Sequence, residues 1–257
     1  MSEEAAEAWE VYHTQLDEEG HPAAIMVDVS LCEPDPTRTH SVRVIVHLQE
    51  PDYESGFPHR EESQVLYALE DALTPVLVKA GARLVGRVTT QGVRDFVYYA
   101  PGPISEDRVR DVLAEWPLYS FELKQGEDPE WSFYRDILVP SAREWQSIMN
   151  WKVIHNLSEH GDTLEAPREV DHHLDFPTED ALETFLSGLE GFTCAGREPD
   201  EEGEGVSVHL TRVHSVDFET VDGVVARLLD QAEQVAGSYS GWGCSVIKAE
   251  GAAEPEE

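Results

Sequence analysis

The sequence predicts an α+β protein of two domains, in which helices pack on antiparallel sheets. Strand-like and helix-like segments alternate along all 257 residues, a length that suits two ordinary domains. From Arg168 to Val246 their order is β-α-β-β-α-β, the order of the ferredoxin-like sandwich. The first half shows the same order after two extra strands, so we expect a related antiparallel sheet with helices on one face.

Apolar periodicity predicts the elements of the first half. Alternating residues indicate strands at Glu7–Gln15, Ala23–Leu31 and Ser41–Leu48. A helix follows Gly56-Phe57-Pro58, with a kink or early stop at Pro75. Its apolar face holds Leu66, Leu69, Leu73, Val76, Leu77 and Ala80. The remaining elements are a hairpin around Gln91-Gly92 (strands Ala82–Thr90 and Val93–Ala100), a short helix capped by Ser105, and a strand at Tyr119–Gln125.

A helical region leads from the first domain to the second. It covers Trp131–Gly161 and is divided by Pro140. Its second part has a predicted buried stripe of Trp145, Ile148, Met149, Val153, Ile154 and Leu157. We therefore expect a first domain at 1–162, a linker at 163–167, a second domain at 168–248 and an acidic tail at 249–257.

The second half gives the clearest helical patterns. Thr178 is a suitable N-cap for a helix with Leu182, Phe185, Leu186 and Leu189 on one face. Strands are predicted at Phe192–Arg197 and Val206–Val213, on either side of the acidic loop Glu198–Glu204. A second helix spans Val221–Ala236, and its apolar positions recur at helical spacing up to Gly237. The last strand is predicted at Tyr239–Val246.

Charge restricts the partners that this protein can bind. The chain has 18 basic and 52 acidic residues, a net charge of −34. Such a surface repels polyanions, so direct nucleic-acid binding is disfavoured and a basic protein segment is favoured. The N-terminus lacks the basic and apolar regions of a signal peptide, and no apolar run has membrane-spanning length. The three cysteines have no close spacing. We expect a cytoplasmic protein with reduced thiols.

Two resemblances are carried by short motifs. Asp171-His172-His173-Leu174 and Tyr239-Ser240-Gly241-Trp242-Gly243, with both helices between them, resemble the bacterial ribonuclease E inhibitor B family. That resemblance implies a small, acidic, ferredoxin-like domain that binds RNase E and restrains RNA cleavage without catalysis. The first half is similar to the domain of unknown function 695 family, through Gly56-Phe57-Pro58, Glu70-Asp71 and Gly86-Arg87-Val88-Thr89. This second resemblance implies no known activity.

Strand alternation divides the Asp171-His172-His173 triplet between two faces of a sheet. Val170, His172 and Leu174 share the face toward the helices, which makes His172 a core histidine. In a ferredoxin-like sheet the first and third strands are neighbours. The side away from the helices, called here the open face, should then carry Asp171, His173, Asp175, His209 and Thr211. This face can be a protein-docking surface, a divalent metal site or a plain solvated face.

The large aromatic residues of the last strand allow two interpretations. Tyr239 and Trp242 can anchor a partner, because aromatic side chains dominate binding hot spots, or they can close the core. Asp171-His172-His173 also matches three letters of a phosphoesterase metal motif, but the further aspartates that such a site needs are missing. The sequence contains no glycine-rich phosphate loop, nucleophile elbow or catalytically spaced Cys/His pair.

These observations predict a non-catalytic regulatory protein without cofactor or bound metal. The resemblance implies an RNase E-type endoribonuclease as the partner, and the charge favours that or another basic protein segment. The proposed partner-binding residues are Asp171, His173, Asp175, His209, Tyr239 and Trp242. The alternative is a metal- or small-molecule-binding protein, including an enzyme that uses Asp171, His173, Asp175 and His209. The sequence does not determine the oligomeric state.

Overall fold

The chain folds into two compact units, residues 1–144 and 145–257. The computed structural model describes residues 7–16, 19–199 and 205–248. Within these ranges, no helix is both long enough and apolar enough to cross a membrane. The predicted acidic tail, and residues 200–204 of the predicted acidic loop, lie outside the described residues.

A six-stranded antiparallel sheet forms the centre of the first unit. The strands are β1 Trp9–Gln15, β2 Pro22–Asp28, β3 His40–His47, β4 Arg83–Thr90, β5 Val93–Ala100 and β6 Phe121–Glu127, and the helices are α1 Arg60–Lys79 and α2 Glu106–Leu113. The strand order of the sheet is β1-β2-β4-β5-β3-β6, and helices α1 and α2 connect β3 to β4 and β5 to β6. The elements from β3 to β6 form a ferredoxin-like unit, and β1 and β2 extend the sheet beside β4. The predicted fold class is confirmed.

Helix α1 does not stop at Pro75, where the sequence predicted a kink or an early stop. The helix continues to Lys79 although an interior proline costs about 3 kcal/mol. Leu69, Leu73 and Leu77 lie on both sides of the proline, and all are fully buried against β3 and β5. Tertiary packing on either side of Pro75 therefore keeps the last turn helical.

Trp131 and a π-helical turn at Tyr134–Leu138 cover part of the sheet face that α1 and α2 leave free. The Trp131 ring stacks on Tyr99 with 4.2 Å between ring centroids. The Tyr134 hydroxyl donates to the Asp28 carbonyl at 2.8 Å. The region predicted as helix from Trp131 thus starts as a π-helical turn, and the α-helix begins only after Pro140.

The second unit has the strand order of a ferredoxin-like fold. Its elements are α3 Ala142–Glu159, β7 Arg168–Phe176, α4 Glu179–Ser187, β8 Thr193–Pro199, β9 Val206–His214, α5 Phe218–Glu233 and β10 Ser238–Cys244. The four-stranded sheet has the order β10-β7-β9-β8. Leu174 pairs with Val208, which confirms that β7 and β9 are neighbours.

Helix α4 begins after the predicted cap Thr178, and α5 begins after Asp217, which the sequence analysis did not name as a cap; each helix then buries one apolar face. The Thr178 hydroxyl accepts from the Ala181 amide at 3.2 Å, and the Asp217 carboxylate accepts from the Thr220 amide at 3.0 Å. Ser105, by contrast, is at the N-cap of α2 but its side chain makes no capping bond. In α3 the predicted buried stripe is confirmed at Ile148, Ile154 and Leu157, and it is wrong at Trp145 and Met149, which are exposed.

The segment Thr163–Pro167, predicted as a linker, is hydrogen-bonded within the second unit. The Thr163 amide donates to the Ile247 carbonyl at 3.0 Å, and the Leu164 carbonyl accepts from the Val216 amide at 2.8 Å. On either side of the segment, the buried Asp162 carboxylate pairs with the Arg168 guanidinium. This ion pair ties both ends of the segment to the second unit. The domain bounds taken from the sequence stay a prediction.

Candidate functional site

Burial along β7 alternates residue by residue. Val170, His172 and Leu174 are fully buried. His173 is exposed, and its neighbours Asp171 and Asp175 are partly exposed. Buried positions face α4 and α5, so the other positions form the open face, as the alternation predicts.

The strand register brings the predicted polar residues together on the open face. His173 lies directly opposite His209, and Asp171 lies opposite Thr211. The His209 Nε2 atom is 2.8 Å from the Asp171 Oδ1 atom. The two imidazole rings of His173 and His209 stack with centroids 4.8 Å apart and an interplanar angle of 11°. Four of the predicted residues therefore share one surface.

Asp175 extends this surface toward the edge strand. Its carboxylate accepts hydrogen bonds from the hydroxyl groups of Ser207 on β9 and Ser240 on β10. Ser240 lies within the last-strand motif Tyr239-Ser240-Gly241-Trp242-Gly243, and the structure gives it a contact on the open face. The two hydroxyl donors hold the carboxylate in place on this face.

No arginine or lysine side chain of the four strands of this sheet faces the open side. The strands contain three arginines, and each points elsewhere. Arg168 is buried against Asp162, Arg197 pairs with Glu179 and Glu183 of α4, and Arg212 lies over the Phe192 ring. The open face therefore presents carboxylates that have no arginine or lysine partner from the sheet itself.

Beneath the open face, two buried histidines form a neutral hydrogen-bonded chain. The His214 Nδ1 atom is 2.6 Å from the Ser215 carbonyl oxygen and must donate to it, which leaves the His214 Nε2 atom as an acceptor. The His172 Nε2 atom, 3.3 Å away, donates to that acceptor. The His172 Nδ1 atom then accepts from the Tyr239 hydroxyl at 2.8 Å. With both histidines neutral, every ring nitrogen has a hydrogen-bond partner.

Burial is the main cause of the shifted pKa values of His172, His214 and Tyr239. The pKa of His172 is lowered to about 3, mainly by burial and to a smaller extent by the neighbouring His214. Burial also lowers the pKa of His214 and raises the pKa of the Tyr239 hydroxyl. His172 is thus a satisfied core histidine, as the alternation predicts.

Tyr239 and Trp242 point away from the open face. Tyr239 pairs with Leu174 and Trp242 with His172, both of which are buried positions. An irregularity in register between Tyr239 and Gly241 keeps both aromatic residues on the helix side. Of the two interpretations that the sequence left open, the contacts of these residues support closure of the core.

The structure adds residues that the sequence analysis did not select. Asn150 is almost fully buried, and its side-chain oxygen accepts from the Trp242 indole at 2.9 Å. Its amide nitrogen donates to Asp222 at 3.1 Å. No sequence signal identifies this contact, which joins α3 to β10 and α5. His214, in contrast, shares the parity of Val208 and Leu210 in β9, so alternation could have predicted its burial.

A metal site requires several ligands that converge on one point. Within residues 7–16, 19–199 and 205–248, no group of three or more His, Cys, Asp or Glu side chains has such an arrangement. His209 and Asp171 point at each other, and Asp175 is occupied by two serine hydroxyls. The open face is therefore arranged as a hydrogen-bonded polar surface.

Comparison with protein families assigns both halves of the chain. Residues 7–139 match the family model of DUF695, a family of unknown function, and residues 147–244 match that of Regulator of ribonuclease activity B. The first match covers just over half of the chain, so the protein belongs to the DUF695 family. The second match links the other half to regulation of ribonuclease activity. Both resemblances noted in the sequence are confirmed.

Comparison with individual proteins gives no further information on function. No curated protein matches the chain. Among solved structures, the crystal structure of an unknown protein from Galdieria sulphuraria is similar over 79% of this chain and 96% of that chain. Its sequence identity is 9% and its TM-score is 0.21, so no inference is drawn from it.

Proposed function

We propose that the protein is a non-catalytic regulator that binds an RNase E-type endoribonuclease, or another basic protein segment, and modulates RNA processing. The match of residues 147–244 to Regulator of ribonuclease activity B carries this proposal. The proposal includes a location in the bacterial cytoplasm, where such a partner would be met. The contact surface that we propose is the open face, with Asp171, His173, Asp175 and His209.

The charge of the second domain supports a basic protein as partner. Residues 168–248 contain 5 basic and 17 acidic residues, a net charge of −12. Lysine and arginine release counterions when they bind phosphate, and this domain has few of them. An arginine-rich protein segment would instead be attracted, and it would be steered toward the side of the sheet that lacks arginine and lysine.

The form of the open face also supports docking. It is one side of an antiparallel sheet, and stacked imidazole rings lie at its centre between the carboxylates of Asp171 and Asp175. An arginine-rich segment laid across these strands can stack guanidinium groups on the imidazole rings while it pairs with the carboxylates. Because the same segment would otherwise hold RNA, occupation by the acidic domain lowers cleavage by competition.

The decisive experiment compares two variants with the same change of charge. The first, Glu169→Gln/Asp171→Asn/Asp175→Asn, removes three carboxylates from the open face. The second, Asp180→Asn/Glu190→Gln/Glu233→Gln, removes three exposed carboxylates from the helix side. Binding of the full chain to a purified RNase E-type ribonuclease is measured by surface plasmon resonance at several salt concentrations, together with cleavage of a fluorescent RNA.

We expect the open-face variant to bind about tenfold more weakly, since each exposed ion pair contributes roughly 0.5 kcal/mol. The helix-side variant should stay within a few-fold of the unmodified chain. Affinity should also decrease with salt, because charges are screened beyond about 8 Å at physiological ionic strength. Equal weakening in both variants would refute the open face as the docking surface. A lack of binding to the ribonuclease at low salt would refute an RNase E-type ribonuclease as the partner.

A further inference from the structure

Strand β1 forms one outer edge of the first sheet, and its backbone is paired on one side. It pairs with β2 from Trp9, opposite Asp28, to Gln15, opposite Pro22, without a shift in register. No other strand of the described residues pairs with β1. Successive residues of an antiparallel strand direct their N–H and C=O groups to alternate sides, so half of the β1 backbone faces away from the sheet.

The Val29 amide identifies which residues of β1 face outward. It donates to the Ala8 carbonyl at 2.8 Å, so Ala8 and Val29 form a hydrogen-bonded pair of the ladder. Such pairs recur at every second residue, which gives Tyr12 its bonds to β2 and leaves the backbone groups of Val11 and His13 facing outward. Val11 is 58% exposed and His13 is also exposed, so this stretch of the edge is accessible.

The other three edges of the two sheets carry features that hinder pairing with a further strand. Strand β8 ends in Pro199, and β6 carries Lys124. Strand β10 has a shift in register between Tyr239 and Gly241. Prolines, lysines and bulges are the usual protection of an edge strand, and β1 has none of them. Strand β1 is therefore the edge best suited to accept a further strand.

The charge around β1 determines what kind of strand fits this edge. The first 37 residues of the chain contain ten acidic residues and no lysine or arginine. At the start of β1, the exposed Glu7 carboxylate accepts from the Trp9 indole at 2.9 Å. Two copies of so acidic an edge would repel each other, whereas a basic segment would be attracted.

A cavity of about 450 Å³ lies on one face of β1 and also favours a basic segment. Tyr12, Thr14 and Glu144 are among its lining residues, and no residue of β2 lines it. Arg135, at the same cavity, pairs with Asp136. Residues opposite each other on neighbouring strands point to the same face of a sheet. A basic side chain placed opposite Thr14 would therefore point toward the face that holds the Glu144 carboxylate.

We propose that the β1 edge binds an extended basic segment of another protein as a seventh strand of the first sheet. The outward N–H and C=O groups of β1 form the main-chain hydrogen bonds, and the acidic surroundings select lysine or arginine side chains. This binding concerns the DUF695 half of the chain. It goes beyond the proposed function, which uses the open face of the second unit.

Hydrogen exchange of single amides, followed by NMR on the full-length chain, tests the proposal. The probe is a peptide of alternating lysine and valine, as long as β1, and its control is the same peptide with glutamate in place of lysine. At a lysine-peptide concentration ten times its Kd, exchange of the Val11 and His13 amides should slow about tenfold, because they gain a partner only in the complex. The Tyr12 amide already bonds to β2 and should change little. The glutamate peptide should have no effect.

Two variants with the same substitution site make the result specific. Val11→Pro removes one outward N–H group, and an edge strand tolerates proline where the N–H faces away from the sheet. It should weaken binding of the lysine peptide about fivefold, through loss of one hydrogen bond. Val11→Thr keeps the N–H group and the β-branched shape, and it should bind like the unmodified chain. The exchange measurement uses the unmodified chain, so the proposal stays testable if Val11→Pro does not fold.

Four results would overturn the proposal. The first is unchanged exchange of Val11 and His13 with the lysine peptide, and the second is equal affinity of a folded Val11→Pro variant and the unmodified chain. The third is protection of β7 and β9 only, which would contradict binding at β1 and leave the proposed function standing. The fourth is protection of Val11 and His13 in the free chain that is lost on dilution, because a second copy would then occupy the edge.

Discussion

The buried histidine chain in the second domain should make that domain sensitive to mild acid. His172 is fully buried, and its pKa falls from the ordinary 6.5 to about 3 because protonation would place an unsolvated charge in the core. Below pH 6.5 the unfolded chain takes up a proton at this residue and the folded chain does not. The contribution of His172 to the unfolding free energy is therefore fully present above pH 6.5 and is lost as the pH falls toward 3.

The magnitude follows from the two pKa values. At pH 5 the unfolded state is stabilised by protonation of His172, which removes about 2 kcal/mol of the unfolding free energy present at pH 7.5. His214, whose pKa is also lowered, acts in the same direction. Carboxylates such as Asp162 and Asp217 have lowered pKa values and titrate below this window. Their contribution between pH 5 and pH 7.5 is small.

The assay is hydrogen–deuterium exchange of β7 and β9 peptides across a urea titration at each pH. His172→Gln keeps an acceptor and a donor but cannot titrate, so its loss of stability between the two pH values should be smaller by about 2 kcal/mol. His173→Gln, on the exposed face of the same strand, is the matched control and should keep the full loss. Equal pH dependence in His172→Gln and His173→Gln would refute the reasoning.

Three further predictions follow from single contacts. Arg168→Met should destabilise the second domain by about 3–5 kcal/mol, because the buried Asp162 carboxylate loses its cation. Chemical denaturation measures this change in unfolding free energy, and a loss below about 1 kcal/mol would contradict the prediction. Gly86→Ala should destabilise the first domain by about 1–3 kcal/mol in a thermal melt, since an added Cβ would lie 2.5 Å from the Met26 carbonyl oxygen. The control Gly126→Ala should be close to neutral, because a Cβ added there meets nothing within 4 Å. Elemental analysis of the purified protein should find no stoichiometric metal, and a metal that disappears in His173→Ala would favour the alternative of a metal-dependent protein.

The amino-acid sequence determined the order of the elements and the division of β7 into two faces. Helical spacing at Leu182, Phe185 and Leu228 and strict alternation through His172 and His173 are local properties. They are set by backbone geometry and by the need to bury apolar surface. For this reason the sequence alone predicted a core His172, an exposed His173 and the adjacency of β7 and β9.

Only the tertiary structure decided which contacts close each unit. The pairing of Asp162 with Arg168, the contact of Asn150 with Trp242 and the stacking of Trp131 on Tyr99 carry no periodic signal. Such contacts depend on strand register and on small irregularities, because a shift of one residue exchanges the two faces of a strand. The sequence accordingly left Tyr239 open as an anchor or a core residue. It also gave no sign that Asp95, one charged residue in a strand, lies buried beside Arg43.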